Sequence, residues 1–393
     1  MSSVSDSASG ASRRQKVRLR AFWERITDGF ELHELWGQFK SEARASYRLY
    51  SADVDWHDID GKSSGKLGRF GRSAWALFQA MLMKLSPARR VLLLAAILLL
   101  TLQPSFHFDA ARTAEVHLAP LGVVILFVLL AVELADRVTM KRDLEIAREI
   151  QEWLVPENPP EVPGLDIAFA TRPQNTVAGD YYDAFVRPVP VADLKVQPLL
   201  IAVADVAGKS IPAALLMATF QASFHTLTAT SAPLGEVVTN LDRYCRAHSR
   251  GGRRFTTAFL AELHIETREM VYVNAGHNPP ILRRASGEIE RLDIGGPPFG
   301  IPVFSDDSVR YPSGRIQLRS GDVLFIFTDG LVEAVNESDE EYGEARLKAG
   351  LQGRTVESAA ETLRRIMKDV NLFVGNARQY DDITAFILRI QTL

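Results

Sequence analysis

The sequence predicts an α+β fold for its C-terminal part, preceded by a pair of apolar helices. From residue 165 onward, short runs rich in β-branched and aromatic residues are interrupted by grouped helical stretches. That grouping favours a layered α+β domain over a regular βαβ repeat. Before this part, residues 91–108 and 116–132 contain no Asp, Glu, Lys or Arg. The chain has 393 residues, which is enough for two or three folding units.

The composition excludes several classes of protein. Charged residues make up 24% of the chain and hydrophobic residues 47%, which argues against wholesale disorder. The 45 basic and 48 acidic residues give a net charge of −3, so no nucleic-acid partner is expected. A single cysteine, Cys245, excludes an internal disulfide framework and a multi-cysteine zinc site.

Residues 1–86 are predicted to form a cytoplasmic N-terminal region that is partly disordered. The first residues are rich in Ser and then in Arg and Lys, which indicates a disordered tail or a segment attracted to anionic lipid. Residues 21–50 mix aromatic and charged side chains, as amphipathic helices do. We find no catalytic constellation before residue 150.

The two apolar runs predict a transmembrane helical hairpin over residues 87–135. A spanning helix needs about 17–25 apolar residues, and both runs are at the short end of that range. The alternative is a buried helical hairpin in a soluble domain. Basic residues flank the outer ends of the pair, so the positive-inside rule places both ends in the cytoplasm. We therefore expect the inner (cytoplasmic) membrane, with the catalytic part in the cytoplasm.

A connecting helix is predicted next, with residues 136–155 as its linker part. Residues 133–154 contain no Gly or Pro, apolar residues from Leu144 to Leu154 fall at helical spacing, and Pro156 ends the pattern. Two interpretations stay equally open. The helix forms a parallel coiled coil that makes a homodimer, or it packs singly on the next domain.

Residues 156–393 are predicted to form the catalytic domain. Its short connections favour mostly antiparallel strands. The predicted strands are 165–170, 199–204, 254–260, 270–273, 323–327 and 383–388, and the predicted helices are 211–228, 234–249, 344–351 and 356–369.

Aspartates stand where several of these strands begin or end. They are Asp180, Asp205, Asp329 and the adjacent pair Asp381 and Asp382. A carboxylate beside a buried strand costs desolvation energy unless a basic side chain or a cation pairs with it. Lys209 is a basic residue that is close in sequence to one of them, Asp205. Oxygen ligands suit Mg²⁺ or Mn²⁺, and two such ions about 3.5–4 Å apart can clamp a phosphoryl group.

The motifs also occur in a recognisable order. They are AREIQEWLVP at 147–156, AGDYYD at 178–183, DVAGKSIPAALLM at 205–217, FTTAF at 255–259, NAGHNPP at 274–280, GGPPFGI at 295–301, GDVLFIFTDGLVE at 321–333 and DDIT at 381–384. Residues 145–391 therefore resemble the PPM-type metal-dependent Ser/Thr protein phosphatases, and more closely the SpoIIE-like bacterial branch of partner-switching regulators. Each motif alone is weak, whereas the ordered set is specific.

The resemblance implies a PPM-type α-β-β-α layered sandwich with a two-metal site at one edge. It implies that the catalytic and metal-binding carboxylates are Asp180, Asp205, Asp329 and Asp381, with two divalent cations, Mn²⁺ or Mg²⁺. Asp205 would bridge the ions, and the carbonyl of Val206 would add a ligand. Asp382 and Asp183 would stand behind these ligands and support them.

Two positions depart from the family pattern. Ala178 and Ser210 stand where the family usually has glycine. Ser210 is expected to be tolerated because a serine can cap the start of a helix. His277 is expected to be structural and Cys245 to pack in the core, so that water rather than a cysteine would attack phosphorus.

The leading hypothesis is a membrane-anchored metal-dependent protein phosphatase. Its substrate would be phosphoserine or phosphothreonine on a cytoplasmic protein, which the resemblance implies is an anti-sigma-factor antagonist or a similar regulatory domain. One alternative is a catalytically silent scaffold that binds a phosphorylated partner, although all four aspartates are retained. Another is a nucleotide or small-phosphoester hydrolase, although the sequence has no P-loop.

Overall fold

The computed structural model describes residues 75–76, 78–108, 114–188, 196–249, 251–301, 311–352 and 357–391. The tail and amphipathic helices predicted before residue 75 therefore lie outside the described residues. The chain divides into two compact units, Met1–Asp136 and Arg137–Leu393. The four-part division expected from the sequence stays a prediction.

The described part of the first unit contains a short helical stretch at 78–84 and two longer antiparallel helices. Helix α1 spans Pro87–Leu102, and helix α2 spans Ala119–Leu154 and continues into the second unit. Strands β1 (Ser105–Phe108) and β2 (Ala114–His117) pair antiparallel between them.

The two helices approach closely at a glycine. A Cβ atom on Gly122 would lie 3.1 Å from the carbonyl oxygen of Ala96, so a larger residue would push the helices apart. At the other end of the pair, Arg89 forms ion pairs with Glu133, at 3.1 Å, and with Asp136. These contacts hold the N-terminal part of α2 alongside α1.

The structure modifies the hairpin predicted over residues 87–135. Helix α1 has 16 residues, about 24 Å at 1.5 Å per residue, which is shorter than a hydrocarbon core of about 30 Å. The apolar run 91–108 is not all helical because Pro104 follows the helix end and the next residues form β1. Among the described residues, α2 is the one helix long and apolar enough to cross a membrane. A hairpin with two spans is not confirmed.

The linker helix predicted over 136–155 is not a separate element. Helix α2 runs without a break from the second apolar run to Leu154, for 36 residues. The two parts differ in composition but form one helix, because no Gly or Pro follows Gly122 before the helix ends at Leu154.

The second unit combines eleven strands with five helices after α2 among its described residues. The strands are β3 (Leu165–Arg172), β4 (Tyr181–Val186), β5 (Leu199–Val206), β6 (Thr256–Leu263), β7 (Glu269–Ala275), β8 (Ile281–Arg283), β9 (Ile289–Arg291), β10 (Gly295–Gly296), β11 (Gly314–Gln317), β12 (Val323–Phe327) and β13 (Ile383–Ile390). The helices are α3 (Ile211–Thr228), α4 (Leu234–His248), α5 (Asp329–Val332), α6 (Gly343–Gln352) and α7 (Ala359–Val374).

The strands form two sheets. One has the order β10-β7-β6-β5-β4 with β11 on β7, and the other has the order β3-β13-β12-β8-β9. All of these pairs are antiparallel except β10 with β7, as the short connections predicted.

Alternation along the strands builds three buried layers. In β5, Ile201 and Val203 face the core between the two sheets, whereas Leu200 and Ala202 face helices α3 and α4. On the other sheet, Phe325 and its neighbours pack against α6 and α7. Because side chains alternate across a strand, a strand covered on both faces is apolar throughout. The predicted α-β-β-α sandwich is therefore confirmed.

Local sequence signals explain the element ends. Helix α7 begins with a capping box, in which the Ser358 hydroxyl accepts from the Glu361 amide and the Glu361 carboxylate accepts from the Ser358 amide. The prediction for α3 matches the structure at both ends. The short strands β8 to β11 were missed because two to four residues carry too little periodicity.

Candidate metal centre

The strand order brings the predicted carboxylates to one edge of the sandwich. Asp180 directly precedes β4, Asp205 lies in β5, and Asp329 is the first residue of α5 after β12. Asp381 and Asp382 directly precede β13. Because β4 pairs with β5 and β12 with β13, these segments meet although they are far apart in sequence. We call Asp180, Asp205, Asp329, Asp381 and Asp382 the carboxylate cluster.

Burial and mutual repulsion raise the pKa values in the cluster. Burial first, and then the charge of Asp205, hold the pKa of Asp180 well above its usual range. Burial and the charges of Asp329, Asp381 and Asp382 raise the pKa of Asp205 to about 7. Burial and Asp381 also raise the pKa of Asp329. Each shift indicates that negative charge is insufficiently compensated at this edge.

Thr328 and Lys209, which are not members of the cluster, both contact it. The Thr328 hydroxyl donates to Asp180 Oδ2 at 2.9 Å from a fully buried position. Lys209 Nζ lies 3.4 Å from Asp381 Oδ2 and donates to the carbonyl of Tyr380. Because the Lys209 side chain is 53% exposed, water screens its charge and it offsets little of the buried repulsion.

Asp382 has the contacts of a residue that positions others. Its two carboxylate oxygens accept hydrogen bonds from the backbone amides of Gln174 and Gly179, both at 2.6 Å. The second amide belongs to the residue before Asp180. Close packing requires glycine nearby, because a Cβ atom on Gly330 would lie 2.0 Å from the Asp382 carbonyl oxygen.

The donor set fits hard divalent cations. The carboxylate cluster offers oxygen atoms alone, as Mg²⁺ and Mn²⁺ prefer, and the raised pKa values favour a cation over a further anion. The carbonyl oxygen of Val206 lies at the same place, 3.2 Å from the position of a Cβ atom on Gly179. Among the described residues, no three His, Cys, Asp or Glu side chains already surround one metal-sized point.

Asp183 lies apart from the cluster. Its Oδ2 accepts a hydrogen bond from the Tyr181 hydroxyl at 2.7 Å and lies 2.7 Å from His225 Nε2 on α3. His225 stacks on Phe185 at 4.3 Å between ring centroids. Since strand side chains alternate, Asp183 shares the helix-facing side of the sheet with Tyr181. The expectation that Asp183 supports the metal ligands stays a prediction, and the hydrogen bonds described for its carboxylate are with Tyr181 and His225.

His277 and Cys245 have structural surroundings. His277 Nδ1 lies 3.1 Å from the Thr257 hydroxyl, and its backbone amide donates to Asn274 Oδ1 at 2.7 Å. Burial lowers the pKa of His277 to about 4, so the ring is neutral at pH 7. Burial raises the pKa of the Cys245 thiol to about 12, which makes it a poor nucleophile. Both agree with the expectations from the sequence.

Ser210 does not cap helix α3, contrary to the expectation. Its side chain makes no capping hydrogen bond, and its backbone has φ 63° and ψ −148°. Non-glycine residues avoid that region because the Cβ atom is crowded there, at a cost of about 1–3 kcal/mol. The sequence could suggest a cap but could not reveal the backbone angle.

Replacing Ser210 by glycine is expected to stabilise the protein by about 1 kcal/mol, since glycine relieves the strain but loses more chain entropy on folding. The midpoint of thermal unfolding should rise by about 2–4 °C. Ser210→Ala keeps the Cβ atom and serves as the control. An equal gain in the alanine variant would show that backbone strain is not the cause.

Two supporting residues were not recognised from the sequence. Thr328 lies in the FTDG motif and Gln151 in the AREIQEWLVP motif, but neither was assigned a role. Gln151 forms two hydrogen bonds with the backbone of Ala178. Their motifs were visible, whereas their partners lie far along the chain and could not be read from spacing.

A sandwich of two sheets between helix layers, with a carboxylate cluster at the shared edge, defines the PPM or PP2C class of protein phosphatase. Within that class, residues 196–391 match the family described as Stage II sporulation protein E (SpoIIE). The C-terminal half of the chain thus belongs to the SpoIIE family of phosphatase domains.

Curated relatives are similar over the same part of the chain. "Phosphoserine phosphatase RsbU" of Bacillus subtilis is 28% identical over 251 residues, 64% of this chain and 70% of RsbU. "Protein IcfG" of Synechocystis is 26% identical over 285 residues, 65% of this chain but 42% of IcfG. This chain therefore spans less than half of IcfG.

A solved structure supports the fold. The SiaA-PP2C domain of Pseudomonas aeruginosa superposes with a TM-score of 0.54 and 20% sequence identity. The match covers 65% of this chain and 98% of that domain, which is evidence for the sandwich itself.

Proposed function

We propose that this protein is a membrane-anchored, metal-dependent phosphatase that hydrolyses phosphoserine or phosphothreonine on a cytoplasmic regulatory protein. The observation that carries the proposal is the carboxylate cluster, partly buried at the edge of a SpoIIE-type sandwich. Buried carboxylates that repel each other are costly, and a protein keeps them where a bound cation repays the cost.

The proposed ligands are Asp180, Asp205, Asp329 and Asp381 with the carbonyl oxygen of Val206. Two bound Mg²⁺ or Mn²⁺ ions would lower the pKa of a coordinated water and offset phosphoryl charge. Thr328 would keep Asp180 in one orientation through its 2.9 Å hydrogen bond. Asp382 would fix the backbone next to Asp180, and Lys209 would attract the phosphorylated substrate to this edge.

The proposed substrate class follows from the relatives. RsbU and RsbP of Bacillus subtilis are both named phosphoserine phosphatases, and RsbP is 26% identical over 200 residues. By similarity we propose a phosphorylated anti-sigma-factor antagonist, or a regulatory domain like it, as the substrate of this chain.

Phosphate release from a phosphoserine protein tests the proposal. Full-length protein is assayed with Mn²⁺, with Mg²⁺ and with EDTA, alongside Asp329→Asn. A phosphothreonine protein and a nucleotide are assayed in parallel. We expect release that requires the metal, is lost in the variant and is absent with the nucleotide. Metal binding without release from any substrate would instead favour a scaffold that binds phosphorylated partners.

Helix α2 supports the proposed membrane anchor. Its apolar part exposes large side chains that no described residue covers, including Val123, Val124, Phe127 and Leu130. Lipid would bury that surface. The basic residues that flank the apolar runs support the proposed location in the inner membrane, with the catalytic domain in the cytoplasm. Further along, Val138, Ile146 and Ile150 are also exposed, and we propose a homodimer through this part of α2 as their cover.

Arginine in the apolar part of α2 is expected to weaken membrane attachment. Each arginine at the centre of a spanning helix costs about 2.5–3.5 kcal/mol on insertion scales. Wild-type protein should stay in the membrane pellet during alkaline extraction, and the double variant Val124→Arg, Val128→Arg should lose a large fraction to the supernatant. Met140→Arg, outside the apolar part at an exposed position, is the control. Wild-type protein in the supernatant would contradict the anchor.

A further inference from the structure

Gln151 joins helix α2 to the backbone that leads into the carboxylate cluster. Its side-chain Nε2 donates to the carbonyl oxygen of Ala178 at 2.7 Å. Its Oε1 accepts from the backbone amide of the same Ala178 at 2.9 Å. One side-chain amide thus pairs with both backbone groups of one residue, as a neighbouring strand would. We call this pair of hydrogen bonds the Gln151 clamp.

The clamp supplies bonds that the local backbone lacks. Residues 173–180 form no strand or helix, and β4 begins only at Tyr181. Ala178 is buried, so its amide and carbonyl have little access to water. Buried backbone groups are almost always paired, because an unpaired one costs about 1–3 kcal/mol. Gln151 provides both partners from a residue 27 positions earlier in the chain.

The three consecutive residues Ala178, Gly179 and Asp180 each contact a different part of the fold. Ala178 is held by Gln151, and the amide of Gly179 donates to Asp382. The carboxylate of Asp180 accepts from Thr328 and lies beside Asp205. The position of Asp180 therefore depends on contacts at both preceding residues.

The segment has little room to move independently at Gly179. A Cβ atom on Gly179 would lie 3.2 Å from the Val206 carbonyl oxygen and 3.2 Å from the Ala213 side chain. Such tight packing passes a displacement of Ala178 on to Asp180 instead of absorbing it. A cavity of about 590 Å³ borders the clamp, and its lining includes Gln151, Ala178 and Asp180. Loss of the clamp would let the segment shift into that space.

We propose that Gln151 is a positioning residue for the metal centre. Its clamp on Ala178 holds Asp180 where Asp180 can bind a divalent cation together with Asp205. The inference rests on the proposed function, since it assigns Gln151 a role at the same metal site. Groups that orient metal ligands typically contribute 10–100-fold to metal affinity.

The test measures Mn²⁺ binding without substrate. Full-length wild type and Gln151→Leu are titrated with Mn²⁺, and free Mn²⁺ is followed by electron paramagnetic resonance. Leucine has a similar size but removes both hydrogen bonds. We expect the Kd for Mn²⁺ to rise about 10–100-fold. The rate of phosphate release at limiting Mn²⁺ should fall in parallel and recover partly when Mn²⁺ is raised.

Two further variants separate positioning from general stability. Glu149→Leu introduces the same leucine at an exposed position of the same helical turn, and should bind Mn²⁺ like wild type. Gln151→Glu keeps the acceptor for the Ala178 amide but loses the donor, and should have an intermediate affinity. It also replaces the leucine variant if that variant does not fold.

The outcomes show separately whether the positioning role of Gln151 fails or the proposed phosphatase function fails. If wild type releases phosphate but Gln151→Leu binds Mn²⁺ with unchanged affinity, the clamp is only structural and the inference fails alone. A lower unfolding temperature with unchanged Mn²⁺ affinity has the same meaning. If wild-type protein neither binds Mn²⁺ nor releases phosphate, the proposed function and the inference both fail.

Discussion

Replacing Asp205 by asparagine is expected to lower phosphate release about 10³-fold at saturating Mn²⁺. Asp205 lies among the other carboxylates. The charges of Asp329 and Asp381 raise its pKa, and its own charge raises the pKa of Asp180. Metal ions typically contribute several kcal/mol to phosphoryl transfer, and each 1.36 kcal/mol corresponds to a tenfold change in rate. Asparagine has nearly the same shape, so the loss would come from the missing negative charge.

A matched substitution outside the cluster controls for this experiment. Asp369 on α7 accepts a hydrogen bond from the Tyr342 hydroxyl at 2.6 Å, and an asparagine oxygen can accept it as well. Asp369→Asn is expected to release phosphate at close to the wild-type rate. Phosphate release by Asp205→Asn within a few-fold of wild type would overturn the assignment of this carboxylate.

Divalent cations are expected to stabilise the fold strongly. A ligand present at 100 times its Kd stabilises the folded state by about 2.7 kcal/mol. For a domain of this size that corresponds to a rise of about 5–10 °C in the midpoint of thermal unfolding. The physical reason is the carboxylate cluster, where burial and mutual repulsion raise the pKa values of Asp180, Asp205 and Asp329. A bound cation would relieve that repulsion.

The midpoint of thermal unfolding of Asp205→Asn is expected to differ from that of wild type in EDTA as well as with metal. Removing one buried negative charge lessens the repulsion, so the metal-free variant should unfold at or above the wild-type temperature. With Mg²⁺ or Mn²⁺ it should show little of the rise seen in wild type, whereas Asp369→Asn should show all of it. An equal metal-dependent rise in Asp205→Asn would place the cation elsewhere.

The grouping of strands and helices predicted a layered α+β domain, and the family resemblance carried by the ordered motifs implied the sandwich. In β12, and in β5 from Leu199 to Ala204, every residue is apolar because both faces of the strand are covered, and such a run is visible in sequence. Asp205 and Asp329 could be selected because each follows such a run, and Asp381 and Asp382 because they precede another, whereas Asp180 was selected from the AGDYYD motif. These properties are local, because burial of both faces of a strand and the position of its ends are reflected in the residue types of the strand itself.

The membrane-proximal part was predicted less well. Both apolar runs were visible, but the helix end at Leu102 and the β-ladder after it were not. Hydropathy reports whether a residue avoids water, and it does not report which backbone conformation an apolar residue adopts. The helix expected over residues 133–154 is present, and it continues the second apolar run without a break.

By itself, the sequence determined the class of fold, the identity of the clustered aspartates and the apolar character of α2. Only the tertiary structure decided that Asp183 bonds His225 instead of the cluster, that Ser210 is strained instead of capping, and that Gln151 holds Ala178. The features predicted from the sequence depend on periodicity and residue chemistry, which are visible in residues that are close together in the chain. The features that the tertiary structure decided depend on side-chain direction, backbone angles and pairs 27 or more residues apart, which form only when the layers pack.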